Sequence, residues 1–135
     1  MGLELGTGQL EQFWHYYQEI TAGNKRMNLT TIVDWDEVQL KHFLDSLTAV
    51  SILGTSLEPR SLIDVGSGAG MPGIPLKIAM PQLQITLLES TAKKAAFLIS
   101  TISTLGLKEI TVLGGRAEER AREPAYREQF DVVVS

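Results

Sequence analysis

The residues best suited to chemistry are three glycines at alternating positions, Gly66, Gly68 and Gly70. They follow a short apolar run and precede a segment of helical character, so they are predicted to form the turn between a strand and a helix. Glycine tolerates positive φ and lets a ligand approach the backbone closely, and a helix that begins there offers unpaired N–H groups. The pattern therefore predicts a loop that binds a phosphate or a nucleoside.

The spacing of the glycines restricts the ligand. A dinucleotide fingerprint requires G-x-G-x-x-G, but the sixth position counted from Gly66 is Met71, so the pattern here is G-x-G-x-G. No G-K-[ST] sequence follows, which excludes a P-loop. Asp64 precedes the glycines, and Glu89 lies about twenty residues after them, where an acidic residue binds ribose in nucleotide folds. The two oxygens of Glu89 can accept hydrogen bonds from both ribose hydroxyls; the alternative is a glycine turn with an unrelated surface glutamate.

The elements that would position these residues alternate between strands and helices. The predicted strands are Ser61 to Val65, Ile85 to Leu88, Ile110 to Leu113 and Phe130 to Val134. Pro75 suits a first helical turn after the glycines, and Gly106 can end the next helix. Strands as apolar as Val132-Val133-Val134 are typical of a parallel sheet buried on both faces. The predicted fold class is therefore α/β, a parallel sheet flanked by helices.

The first part of the chain has helical rather than strand periodicity. One apolar set comprises Leu10, Phe13, Trp14, Tyr17 and Ile20, and a second comprises Val38, Leu40, Phe43, Leu44, Leu47 and Val50. Each set predicts an amphipathic helix, and Asp34 with Glu37 fits an acidic capping box at the start of the second. A turn-rich segment, 54–60, follows. We place the division between an N-terminal helical segment, 1–56, and a ligand-binding domain, 57–135.

Composition limits the class of protein. The 135 residues include no Cys, so disulfide scaffolds and thiolate metal sites are excluded, and no metal site is predicted. The formal net charge of −4 excludes a uniformly basic nucleic-acid-binding surface but leaves local basic patches open. The apolar runs are too short to cross a bilayer and no signal-peptide pattern is present, so a cytoplasmic protein is expected.

The sequence stops at Ser135, where the fourth strand should lead into its C-terminal loop. We therefore expect a fragment that holds only the first half of its sheet, since ligands of such folds bind beyond the carboxyl ends of the strands. The fourth strand would then be an exposed apolar edge, which predicts self-association or partial disorder at this end.

Six sequence motifs follow one another along most of the chain. They are Met27-Asn28-Leu29-Thr30, Lys41-His42-Phe43-Leu44-Asp45-Ser46-Leu47, Asp64-Val65-Gly66-Ser67-Gly68-Ala69-Gly70 with Pro72-Gly73-Ile74-Pro75, Leu87-Leu88-Glu89-Ser90 with Lys93-Lys94 and Phe97-Leu98, Arg116-Ala117-Glu118-Glu119, and Phe130-Asp131-Val132-Val133-Val134-Ser135. In these motifs the chain resembles the RsmG family, also called GidB, of class I S-adenosylmethionine-dependent methyltransferases. The resemblance implies a Rossmann-like fold, S-adenosylmethionine as cofactor, and methylation of guanine N7 in bacterial 16S ribosomal RNA, as naked RNA or within the small ribosomal subunit.

The resemblance also implies roles for individual residues. The cofactor-binding residues that it implies are Gly66, Ser67, Gly68, Gly70, Met71, Glu89, Ser90, Ala117 and Glu118. The glycines would line the methionine and ribose, Glu89 and Ser90 would hold the ribose, and the adenine would lie against residues 117 and 118. Met71 stands where relatives usually carry Phe or Leu, and relatives continue past this end with an Arg that helps bind the cofactor.

Candidate substrate residues are Asn28 and His42, for which a capping or packing role is the alternative. His42 has Asp45 one helical turn later. The candidates for phosphate contacts are Lys25, Arg26, Lys41, Lys77, Lys93 and Lys94, and for most of them a solvated face is the favoured interpretation. Trp14, Tyr16 and Tyr17 are more typical of a core than of a platform for stacked bases.

The chemistry implied for guanine N7 requires positioning rather than a general base, because N7 has an in-plane lone pair and no proton to lose. No catalytic residue is assigned. The chain has no Cys for covalent attack on a pyrimidine. Exocyclic-amine methyltransferases usually carry an Asn- or Asp-Pro-Pro-aromatic tetrapeptide after the fourth strand, whereas the strand here reads Asp131-Val132-Val133-Val134-Ser135. One alternative is a non-catalytic module that binds S-adenosylmethionine. Another is a nicotinamide-dependent oxidoreductase, which is disfavoured because Met71 stands where the dinucleotide fingerprint requires a glycine.

Overall fold

Strands and helices alternate through the second half of the chain. The computed structural model describes residues 5–29, 34–37, 43–44, 48, 60–123 and 129–134. The helices are α1 (Thr7–Asn24), α2 (Trp35–Glu37), α3 (Gly73–Ala79), α4 (Ala92–Leu105) and α5 (Ala117–Arg120). The strands are β1 (Ser61–Val65), β2 (Gln84–Glu89), β3 (Ile110–Gly114) and β4 (Val132–Val134).

The four strands form one parallel sheet in the order β3-β2-β1-β4. In the middle of the sheet, Ile63 of β1 is paired with Thr86 of β2 and with Val133 of β4. Parallel neighbours require crossover connections, and α3 and α4 supply the first two. The carboxyl ends of all strands consequently lie at one edge of the sheet. This arrangement confirms the predicted α/β, Rossmann-like fold.

β4 differs from the expectation of strands buried on both faces. The side chain of Val133 is 67% exposed, while Val132 and Val134 are half-buried. Within the described residues β4 is paired only with β1, so it lies at the edge of the sheet and its outer face is not covered. The predicted self-association through this strand stays a prediction.

The hydrophobic core lies between the sheet and the helices and includes one face of α1. Its contributions from α1 are Phe13, Tyr16 and Ile20, which are spaced by three and four residues and so form one stripe of the helix. The predicted helix is confirmed, but the predicted inclusion of Leu10 and Trp14 in its buried face is wrong, because they are 55% and 43% exposed. They lie to one side of the narrow stripe that faces the core.

Two glutamines of α1 attach it to the helices that flank the sheet. The side-chain Nε2 of Gln9 donates to the carbonyl oxygen of Ile78 at 2.8 Å, and that of Gln12 donates to the carbonyl oxygen of Leu105 at 3.1 Å. These carbonyls belong to the last turns of α3 and α4, where a helix has acceptors without an internal partner. The N-terminal helix therefore caps both.

The predicted second helix falls mostly outside the described residues. α2 begins one residue after Asp34, the predicted cap, and Phe43 is buried with its ring 5.1 Å from that of Phe13. The division at residues 56 and 57 lies outside the described residues and stays a prediction. In the described ranges no helix has the length and apolarity needed to cross a membrane.

Candidate functional site

A cavity of about 410 Å³ lies at the carboxyl edge of the sheet. It is lined by residues at or just after the ends of β1, β2 and β3: Val65, Gly66, Leu88, Ser90, Gly115, Arg116, Ala117 and Glu118. Ligands of parallel α/β sheets bind at this edge. Its volume falls in the range of about 300 to 1,000 Å³ that is usual for small-molecule sites.

The glycine loop, residues 66–72, forms one side of this edge. Gly66, Gly68 and Gly70 all have positive φ, at 73°, 59° and 98°. This conformation explains why glycine occupies these three positions, because other residues adopt it only with strain. A Cβ on Gly66 or Gly68 would meet nothing within 4 Å, whereas one on Gly70 would lie 2.5 Å from Cδ1 of Ile74 and 3.0 Å from Cδ2 of Leu98. The first two glycines leave open space for a ligand, and the third allows close packing against α3 and α4.

Most backbone N–H groups of the glycine loop are used inside the protein. Those of Gly66 and Ser67 donate to the carbonyl oxygen of Leu88, and those of Gly70 and Met71 donate to the carbonyl oxygen of Ser67. The expectation that the helix after the glycines offers unpaired N–H groups is wrong for its first two residues, because Gly73 donates to Oδ2 of Asp64 and Ile74 donates to the carbonyl oxygen of Gly70. A bound phosphate needs such donors, so the loop suits a nucleoside better than a phosphate.

Glu89, at the end of β2, fixes the glycine loop through a hydrogen bond to its backbone. Its side chain is buried, and its Oε2 accepts a hydrogen bond from the N–H of Gly68 at 3.0 Å while its Oε1 accepts one from Thr91 at 3.2 Å. Each carboxylate oxygen has a second lone pair, so Glu89 can still accept from a hydroxyl. Its neighbours Leu88 and Ser90 line the cavity.

Asp64 holds the same loop from the other end. Its carboxylate is fully buried, Oδ2 accepts a hydrogen bond from the N–H of Gly73 at 3.0 Å, and Oδ1 has no hydrogen-bond partner among the described residues. Burial raises the pKa of Asp64 to about 6, and the charge of Glu89 also raises it. The hydrogen bond from the N–H of Gly73 lowers it, as does the nearby hydroxyl of Ser67, which donates to the main-chain carbonyl oxygen of Asp64 at 3.0 Å. The two carboxyl groups thus fix the loop between them.

Tyr16 of α1 supplies a third fixed point for the glycine loop. Its hydroxyl donates to the carbonyl oxygen of Ala69 at 2.6 Å, with the side chain fully buried. Burial first, and then the charge of Asp64, raise the pKa of this hydroxyl well above its ordinary value. Sequence reasoning placed Tyr16 in the core but missed this contact. The available signal was that a buried tyrosine hydroxyl needs a partner.

The predicted cofactor residues divide into two groups. Those that line the cavity are Gly66, Ser90, Ala117 and Glu118. Those that form or support the glycine loop instead are Ser67, Gly68, Gly70, Met71 and Glu89. Sequence reasoning did not select Val65, Leu88, Gly115 and Arg116, which also line the cavity; their position at the ends of predicted strands was the signal.

The predicted substrate residues are less closely grouped. Asn28 is exposed after α1 and does not line the cavity, and His42 lies outside the described residues. Lys77, a candidate for phosphate contact, is buried, and its Nζ donates to the carbonyl oxygens of Pro81, at 2.8 Å, and Leu83. That candidacy is therefore wrong, because the ammonium group is used to satisfy buried carbonyls.

Comparison with known proteins points to the same family as the sequence motifs. The family model described as GidB, rRNA small subunit methyltransferase G, matches residues 9–135. The ribosomal RNA small subunit methyltransferase G of Roseiflexus sp. (strain RS-1) is 51% identical over 134 residues, which are 99% of this chain and 56% of that protein. The protein of the same name from Dehalococcoides mccartyi (strain BAV1) is 47% identical over 135 residues, which are 100% of this chain and 57% of that protein. The chain thus spans little more than half the length of these relatives.

Solved structures show the same fold. A crystal structure of an MtNAS mutant in complex with S-adenosylmethionine has a TM-score of 0.58 at 18% identity, covering 93% of this chain and 45% of that chain. The match of the family model over nearly all of the sequence decides the assignment: the chain belongs to the GidB family, rRNA small subunit methyltransferase G.

Proposed function

We propose that the protein is an S-adenosylmethionine-dependent methyltransferase of guanine N7 in 16S ribosomal RNA, and that the cavity at the carboxyl edge of the sheet holds the cofactor. The observation that carries the proposal is the position of this cavity between Gly66, where a Cβ would meet nothing within 4 Å, and the segment after β3. The names of the curated relatives support ribosomal RNA as the substrate.

The residues present fit the cofactor. Gly66 and Gly68 offer backbone without obstruction, which suits the ribose and methionine. Glu89 retains acceptor capacity next to Ser90, which suits the two ribose hydroxyls. The residues at 117 and 118 would lie against the adenine. S-adenosylmethionine carries no phosphate, which agrees with a loop whose N–H groups are mostly engaged within the protein.

The chemistry asks little of the protein beyond positioning. S-adenosylmethionine, when bound, supplies an electrophilic methyl group on a sulfonium sulfur. Transfer to the N7 lone pair of guanine would form an N–CH₃ bond as the S–CH₃ bond breaks, which would leave the electron pair on sulfur and the positive charge on the guanine. No proton is removed, so no general base is required. The glycine loop, fixed by Asp64, Glu89 and Tyr16, would hold the methyl donor in line with N7.

Calorimetric titration with S-adenosylmethionine and S-adenosylhomocysteine tests the cofactor site. Saturable binding is expected, with an affinity loss of about tenfold or more in Glu89→Gln, because an amide replaces an acceptor-only group that faces two N–H donors. Glu11→Gln, an exposed change on α1, is the matched control. A folded wild-type chain without binding, or equal binding by Glu89→Gln and wild type, would contradict the proposed site.

Methyl transfer is tested separately with radiolabelled cofactor and small ribosomal subunits or naked 16S rRNA. Incorporation at a guanine that becomes sensitive to borohydride and aniline cleavage would identify N7 as the acceptor. Cofactor binding without incorporation into either substrate would instead favour the alternative of a non-catalytic binding module. Incorporation at another position would refute N7 specificity while retaining the methyltransferase.

A further inference from the structure

A second cavity, of about 420 Å³, lies between the segment that follows α1 and the side of α4 near its first turns. Its lining residues are Arg26, Met27, Lys93, Ala96, Phe97 and Ser100. It shares no lining residue with the cofactor cavity, but Lys93 comes three positions after Ser90, which lines that cavity. The short connection from β2 to α4 therefore links the two cavities.

Close packing fixes the wall that carries Arg26 and Met27. A Cβ on Gly23, in the last turn of α1, would lie 2.7 Å from Cδ1 of Leu29 and 2.9 Å from Cε2 of Phe97. In addition, the side-chain Oδ1 of Asn24 accepts a hydrogen bond from the N–H of Leu29 at 2.7 Å. The segment after α1 is thus held against α4 by a glycine contact and a side-chain hydrogen bond.

The charges around this second cavity favour an anion. Arg26 and Lys93 are exposed, and neither forms an ion pair within the described residues. Lys25 and Lys94 are their neighbours in sequence, in a chain whose net charge is −4. A cation in the first turn of a helix is disfavoured by the helix dipole. Lys93 and Lys94, in the first turn of α4, therefore do not stabilise that helix.

The cavity combines these cations with an apolar wall. Met27 and Ala96 provide carbon surface beside the positive rim, and the edge of the buried Phe97 ring closes the cavity between them. An unstacked RNA nucleotide matches this combination, because its phosphate pairs with Arg or Lys while its base packs on aromatic and apolar side chains. An acidic peptide would satisfy the positive rim but would leave the apolar wall without a partner.

We propose that this second cavity binds a nucleotide of the substrate RNA outside the methylated base, with its phosphate on Arg26 and Lys93 and its base against Met27 and Ala96. The proposal rests on the proposed function, since it names how the same enzyme grips its substrate strand. The cavity then holds the RNA backbone while the target guanine lies at the cofactor cavity.

Fluorescence anisotropy with a fluorescein-labelled single-stranded RNA oligonucleotide, titrated over a range of salt concentrations, tests this proposal. Each phosphate contact on a single strand contributes about 0.7 to the slope of log K against log salt. Arg26→Ala and Lys93→Ala are each expected to lower the slope by about that amount. Ala96→Glu, at an exposed helical position of the wall, is expected to abolish binding. Lys108→Ala removes the same charge elsewhere and should leave the slope unchanged.

The controls separate this inference from the proposed function. Calorimetry with S-adenosylmethionine is run on each variant, and unchanged cofactor binding is expected because none of the substituted residues lines that cavity. Three results would contradict RNA binding at the second cavity and leave the proposed cofactor site unaffected. They are an equal weakening of RNA binding by Lys108→Ala, no effect of Ala96→Glu, and no RNA binding by the wild-type chain. Displacement of the RNA by a polyglutamate peptide at equal concentration would point to an acidic protein partner and would also overturn it.

Discussion

The hydroxyl of Tyr16 donates a 2.6 Å hydrogen bond to the carbonyl oxygen of Ala69, joining the N-terminal helix to the middle of the glycine loop. The two residues are 53 positions apart in sequence and both are buried. The loop therefore depends on a helix outside the strand-loop-helix unit that contains it. The position of the ligand-binding backbone is set partly by α1.

Replacement of Tyr16 by Phe tests this dependence. The change removes one hydroxyl and leaves a buried carbonyl without its donor, so the free energy of unfolding should fall by about 1 to 3 kcal/mol. Urea unfolding measures the fall, and calorimetry should show weaker S-adenosylmethionine binding. Trp14→Phe, on the exposed side of the same helix, should change neither quantity by a comparable amount. Wild-type stability in Tyr16→Phe would contradict the role given to the hydroxyl.

Alanine substitutions at two glycines should separate ligand contact from packing. Gly70→Ala combines positive φ with contacts at 2.5 Å from Ile74 and 3.0 Å from Leu98, so it should cost about 2 to 5 kcal/mol of stability. Gly68→Ala adds a methyl group in open space and should cost only about 1 to 2 kcal/mol, from backbone strain. Its larger effect should be on cofactor affinity. Equal destabilisation by the two changes in urea would contradict this division.

The buried carboxyl of Asp64 should make stability depend on pH. Its pKa is raised to about 6 in the folded protein from 3.8, so the folded state binds the proton more tightly than the unfolded state. The contribution to stability is complete below pH 3.8 and is lost as pH rises through 6, a change of about 3 kcal/mol. The charge of Glu89 acts in the same direction, and Tyr16 stays neutral over this range.

Asp64→Asn provides the comparison, because the amide does not titrate. Urea midpoints measured between pH 4 and pH 7 should show wild type losing stability relative to this variant as pH rises. Asp36→Asn, an exposed change in α2, should follow the wild-type curve. Parallel curves for wild type and Asp64→Asn would show that the carboxyl is not perturbed by its burial.

Lys77 should prove structural rather than RNA-binding. Lys77→Met keeps the apolar stem but leaves the carbonyl oxygens of Pro81 and Leu83 without a donor, so stability should fall by about 1 to 3 kcal/mol. RNA affinity, measured by anisotropy, should not change. The exposed Lys108→Met should alter unfolding by no more than about 0.5 kcal/mol. A loss of RNA affinity without a loss of stability in Lys77→Met would reverse this assignment.

Local sequence patterns were sufficient to predict β1, β2, β3 and the two helices between them, whereas β4 begins at Val132 rather than at the predicted Phe130 and the short helix α5 was not predicted. β1 has the predicted bounds, and Gly106 ends α4 with a φ of 66°, as predicted from glycine at that position. These features depend on residues that are neighbours in sequence. The same holds for the glycine loop, in which the strand, the glycines and the helix are continuous.

What sequence reasoning missed depends on contacts between distant segments. Tyr16 and Ala69 have no local relationship, and nothing in the spacing of Lys77 indicates that its ammonium group faces two carbonyl oxygens. The predicted ligand contacts of Glu89 and Ser90 remain predictions. The hydrogen bonds of Glu89 show that it also braces the loop, which composition and spacing do not reveal.

The glutamine caps of α1 bear on the order of events during synthesis. The partner of Gln9 lies 69 residues later in the chain and that of Gln12 lies 93 residues later. When α1 leaves the ribosome, the helices that it caps have not yet been made, and its apolar stripe has no surface to cover it. The nascent chain therefore presents an unsatisfied amphipathic segment until translation passes Leu105, an interval in which chaperone capture competes with docking.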